Sequence, residues 1–96
     1  MKIIFRIHAI ERMFERGIGI KEVRAALETG DNIENYPDEA AYPARLVLVR
    51  RGRRPLHVVA ADNVSADEII VITGYRPDPS RWTEDFRRRR DEVLDV

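Results

Sequence analysis

Two hydrophobic periods divide this chain. Residues 2–7 open with Ile3, Ile4, Phe5 and Ile7, an apolar run that reads as a short strand. From His8 to Arg16 the period is helical. Ile10, Met13 and Phe14 fall on one face, and His8, Arg12 and Arg16 form a second stripe roughly opposite. Gly17 stands where a helix C-terminal cap is expected. Ile20, Val23 and Leu27 repeat at helical spacing and predict a second helix, from about Ile20 to Thr29, stopped by Gly30.

Beyond Gly30 the period shortens. Residues 31–36 predict a strand with Ile33 and Tyr36 on different faces, closed by Pro37. The run ARLVLVR after Pro43 predicts a second strand, centred on Leu46 to Val49. The turn RRGRRP, with Gly52 inside it, then makes a hairpin into LHVVAAD. Asp62 and Asn63 begin the next turn, and EIIVITGY, residues 68–75, is the last strand. Pro77 and Pro79 break it. Asp78 or Ser80 then caps an expected C-terminal helix through about Val93, with Trp82 and Phe86 four apart on its docked side. Consecutive strands joined by short turns favour antiparallel pairing. The expected architecture is α+β in two layers, with the N-terminal strand and two helices packed on an antiparallel sheet and a helix at the C-terminus.

The 96 residues predict one domain, 44% apolar and 35% charged, in the range of ordinary globular chains. A domain of this size buries only about 60–65% of its unfolded surface. An open groove is therefore expected, not a deep enclosed cavity. With no cysteine, a disulfide framework, a thiolate zinc site and a cysteine nucleophile are all excluded. Arg6, His8 and Glu11 interrupt the N-terminal apolar run before a signal peptide could form. No stretch approaches the roughly 18 apolar residues of a membrane span, so a cytoplasmic protein without a membrane partner is expected.

Charge is informative only locally, because 17 basic and 17 acidic residues cancel. Residues 28–39 carry acids without a base. Residues 45–54 carry Arg45, Arg50, Arg51, Arg53 and Arg54 without an acid, and Arg87 to Arg90 form a third run. Guanidinium forks suit phosphate, so Arg45, Arg50, Arg51, Arg53, Arg54 and Arg76 are candidate RNA contacts. His57 shares a strand face with Val59 and Ala61, opposite Leu56, Val58 and Ala60. If the helices cover the latter face, His57 lies on the open one, as an acid or base titrating near neutrality or as a hydrogen-bonded structural residue. His8, Arg12 and Arg16 could offer an imidazole and two guanidiniums to a phosphate, or form a solvated face paired with Glu11 and Glu15. Tyr75 at a strand end could stack on a base or donate to a phosphate oxygen. No phosphate loop, HExxH or GxSxG is present, and the spacing asks for no metal or cofactor.

The stretches HAIERMFERGI, EVRAALETGDNIENYPD, PLHVVAAD and IIVITGYRPDPSRW resemble the domain-of-unknown-function 4258 family, over about Phe5 to Arg90. That family is similar to a branch of the RelE-type toxin superfamily, which implies a single RelE-like domain over residues 1–96. It also implies a cognate antitoxin as partner, in some members one with a zinc finger. The expected activity is metal-independent RNA cleavage, on messenger RNA free or on the ribosome, by attack of the 2′-hydroxyl on the adjacent phosphate. Such a reaction needs an acid, a base and positive charge at the phosphorane. The resemblance puts His57 at the LHVV histidine as acid or base, with His8 as the second candidate. It puts Tyr75 at the TxY position, and Arg12 and Arg16 at the RMxxRG arginines. Two other classes stand beside this expectation: a non-catalytic protein- or nucleic-acid-binding module, and a metal-assisted nuclease.

Overall fold

A computed structural model describes residues 1–38, 41–51 and 54–91. The element order is β1 (Lys2–Phe5), α1 (Ile7–Glu15), α2 (Ile20–Thr29), β2 (Asp31–Tyr36), β3 (Ala44–Arg51), β4 (Arg54–Asn63), a short 3-10 turn (Val64–Ala66) and β5 (Glu68–Tyr75). The expected strands and the first two helices are thus present, at or within a few residues of the bounds read from the sequence. Among the described residues no helix is long and apolar enough to cross a membrane.

Two glycines set the helix ends. Gly17 takes φ +68°, where a side chain would be strained, and turns the chain from α1 towards α2. Gly30 is needed for close approach: a Cβ there would lie 2.5 Å from the Ala26 carbonyl oxygen and 2.8 Å from that of Leu48. It therefore lets the end of α2 lie directly on β3.

The five strands are ordered β1-β5-β4-β3-β2. From β2 to β5 each strand is antiparallel to the next. β1, however, runs parallel to β5, with Ile3 opposite Ile69 and Phe5 opposite Val71, so the sheet is mixed and not purely antiparallel. The reason is connectivity. Tight turns force reversal, whereas β1 is separated from β5 by the whole chain between them and is free to seat on its edge in the parallel sense.

α1 and α2 pack on one face of the sheet, and the core forms there from Ala9, Met13, Ile18, Val23, Ala26, Leu56, Val58 and Val71. The buried stripe of α1 is Ala9 and Met13, rotated from the expected apolar face: Ile10 is 42% and Phe14 86% exposed. Alanine at position 9 lets the helix lie close to the sheet on a narrow line, which leaves the larger side chains outside.

The expected C-terminal helix is absent over residues 79–89. They form turns closed by an antiparallel bridge between Trp82 and Arg89. Asp78 accepts from the Ser80 amide at 2.9 Å and Asp85 from the Arg87 amide at 3.2 Å, local turns that compete with helical bonding. Phe86 has φ +61°, incompatible with a continuous helix. Residues 92 and 93 of the expected helix lie outside the described residues. We call residues 77–89 the strap, because they lie across the sheet face opposite the helices.

Candidate functional site

The face away from the helices, the distal face, follows from register. Residues directly opposite in antiparallel strands share a face. Glu34 stands opposite Leu46 and Tyr36 opposite Ala44, after an irregularity at Ile33. Leu46, Ala44 and Leu48 in turn face Val59, Ala61 and His57, and His57 faces Tyr75. The distal face therefore divides into two regions, one under the strap and one beside it.

Under the strap, His57 has no exposed surface and Trp82 is 4% exposed. The Trp82 ring meets the imidazole edge-on with centroids 4.4 Å apart, and Tyr75 meets it from another side at 5.3 Å. His57 Nε2 lies 2.9 Å from the Phe86 carbonyl oxygen, and Nδ1 lies 3.2 Å from the Tyr75 hydroxyl. A carbonyl only accepts, so Nε2 carries a proton and donates to Phe86. Burial favours the neutral imidazole, and in that form Nδ1 accepts from the Tyr75 hydroxyl, so both ring nitrogens are bonded. Burial lowers its pKa from the ordinary value, partly opposed by the bond to Phe86. Burial likewise raises that of Tyr75. His57 does lie on the face away from the helices, but that face is covered at this point and not open.

Beside the strap the face is open. A groove of about 470 Å³ is lined by Tyr36, Tyr42, Ala44, Val59, Ala61 and Ile72, with Arg6 and Arg89 also lining it. Ala44, Ala61 and Ile70 form a small apolar cluster beneath it, with the two tyrosines and Ile72 packed against them. The small side chains of the two alanines make the hollow. Glu34 accepts from the Tyr36 hydroxyl in a short hydrogen bond, and from Arg89 at 3.3 Å. Burial, together with the Glu34 carboxylate, pushes the Tyr36 hydroxyl up to about 12. Arg89 also stacks on the Trp82 ring, 4.7 Å from its centroid.

The other expected site residues are dispersed. The His8 side chain is 94% exposed on α1, 3.9 Å from Glu11, and Arg12 is exposed beside it. Arg16 turns to the sheet and donates to the Gly74 carbonyl at 2.8 Å and to Thr73 Oγ1 at 3.3 Å, just past Ile72 of the groove. Arg45 pairs with Asp62 through two donors, at 2.9 and 3.3 Å. Arg76 pairs with Glu22. Arg50 covers the Phe86 ring at 5.5 Å and lines a second hollow, of about 490 Å³, whose lining also holds the Arg87–Asp31 ion pair. Arg54 is exposed at the start of β4. Arg53 and the side chain of Arg51 lie outside the described residues. The structure thus brings His57 and Tyr75 together, and neither meets His8 or Arg12.

Sequence reasoning missed Arg6, Glu34, Tyr36, Tyr42 and Arg89 as a group. Glu34 and Tyr36 are two apart in a predicted strand, so their common face was available as a signal. Nothing local points Arg89 towards them. Among the described residues no three histidine, aspartate or glutamate side chains converge as a metal site would require.

No curated protein and no solved structure matches the chain. A family model does match, over residues 5–76, a stretch that includes both helices and all of β2 to β5 and ends before the strap. The chain belongs to the family described as a domain of unknown function, DUF4258.

Proposed function

We propose that this protein binds single-stranded RNA in the open groove, and that it acts there as the RNA-cleaving toxin of a toxin–antitoxin pair, as its RelE-like resemblance implies. One observation carries the reading: two tyrosine rings and two guanidiniums line a single groove of about 470 Å³ on a sheet face. Tyrosine rings stack on bases without demanding a sequence, and guanidinium forks match phosphate oxygens. A groove open to solvent admits a flexible strand, whereas a stiff duplex would meet only its rim.

Cleavage at this place would use the groove's own groups. Arg6 and Arg89 would supply positive charge to the phosphorane, and Glu34 is the carboxylate bonded to Arg89. His57 would contribute from beneath, without touching RNA. A second reading, a non-catalytic RNA-binding module, is favoured by the sealed and doubly bonded imidazole of His57.

The test is a fluorophore-labelled single-stranded RNA incubated with the protein in EDTA, read both by anisotropy and by identification of the product ends. Binding that weakens in Arg6→Ala and Tyr42→Ala, with 2′,3′-cyclic phosphate ends, supports the full reading. Binding without cleavage supports the module. Absence of binding at micromolar protein refutes both.

A further inference from the structure

The strap and the groove share one residue. Arg89 lines the groove but belongs to the strap, and the strap is held to the sheet by His57. Two chains of contact join the two residues. Through the backbone, His57 Nε2 holds the Phe86 carbonyl, Thr83 bonds Arg88, and Trp82 bridges Arg89. Through the rings, the imidazole meets Trp82, and Trp82 carries the Arg89 guanidinium on its face. Glu34 bonds the same guanidinium from β2.

An unheld arginine side chain loses much of its rotamer freedom when it is fixed on a ligand. One already stacked and bonded loses less, and this is how preorganisation raises affinity. The strap lies outside the family-matched stretch, so the groove joins an arginine of that stretch, Arg6, to one delivered from beyond it, Arg89.

We propose that His57 is a positioning residue for RNA binding: it latches the strap so that Arg89 stands at the groove, and it acts on RNA through Arg89. The inference deepens the RNA reading of the groove and rests on it.

The experiment is a double-mutant cycle. Affinity for a short labelled oligouridine is measured for wild type, His57→Ala, Arg89→Ala and the double variant. Arg89→Ala is expected to weaken binding roughly tenfold, as loss of one charge-assisted contact does. His57→Ala should weaken it by a similar factor and add nothing in the Arg89→Ala background. His57→Gln, whose amide can still donate to the Phe86 carbonyl, should recover part of the loss and serves if His57→Ala does not fold. Multiplying effects in the double variant, or an unchanged affinity in folded His57→Ala, overturns the proposal; where His57→Ala does not fold, an unchanged affinity in a His57→Gln whose Trp82 emission has shifted does so.

The latch itself is read without RNA. Trp82 is the only tryptophan, so its emission reports the strap alone. A red shift is expected in His57→Ala and a smaller one in His57→Gln. If wild type does not bind RNA, the RNA reading fails and the link to affinity fails with it, while the emission still decides whether His57 holds the strap. Unshifted emission in both His57 variants overturns the latch whatever the RNA result.

Discussion

The sealed and open halves of the distal face are built on the same strands, yet they hold their polar groups in opposite ways. Under the strap His57, the one fully buried polar side chain among the described residues, has a partner for each ring nitrogen and no exposed surface. At the groove, Tyr36 and Arg89 both bond Glu34, and all three are only partly buried. The difference begins with side-chain size. Leu46, Leu48 and His57 fill the covered half, whereas Ala44 and Ala61 floor the open one. A closed, satisfied polar network stabilises the fold and specifies its packing. A partly exposed one keeps donors available to a ligand, and there a ligand-binding role has physical room.

The largest test of this contrast is Trp82→Ala. Removing the ring that covers His57 should cost about 3–5 kcal/mol of unfolding free energy, measured in urea. A loss under about 1 kcal/mol would mean that the strap is no part of the cooperative fold.

Next comes pH. A histidine whose pKa is lowered in the folded state takes up its proton more readily when unfolded, so stability is complete above the ordinary value of 6.5 and falls as pH drops below it. The slope from this group is at most about 1.4 kcal/mol per pH unit. Facing His57 are the Tyr75 hydroxyl, the Phe86 carbonyl and the Trp82 ring, with Glu34 favouring and Arg89 disfavouring the charge. The part of the acid-side slope due to His57 should vanish in His57→Gln, and an identical slope in both proteins would show that the imidazole is not held neutral.

In the open half the order of effects reverses. Tyr42→Ala should change stability by no more than about 1 kcal/mol, because the side chain is half-exposed, and should weaken RNA binding more than it weakens the fold. Equal losses in both would make the groove a part of the core. The smallest effect belongs to Phe14→Ser, on the outer face of α1, where a residue 86% exposed should matter by only about 0.5 kcal/mol in thermal unfolding. A larger loss would mean that this face is covered in solution.

Much of this molecule could be read from the chain itself. Period and punctuation placed α2 at Ile20–Thr29 and β5 at Glu68–Tyr75, the bounds observed. They also put Leu56 and Val58 on one side of β4 and His57 on the other, and the structure shows the helices on the side of Leu56 and Val58. These are local facts: alternation encodes which side of an element is apolar, and glycine and proline encode where it stops. Only the tertiary structure decided what covers each side. The parallel seat of β1, the outward Phe14, and the strap in place of a helix all depend on contacts between distant parts of the chain. His57 and Phe86 are 29 residues apart, and Arg89 and Glu34 are 55 apart. A segment such as residues 78–89 has too little helical advantage of its own to resist such contacts. Its conformation follows from burying Trp82 and bonding His57, so the groove that Arg89 completes comes into being only when the sheet is already built.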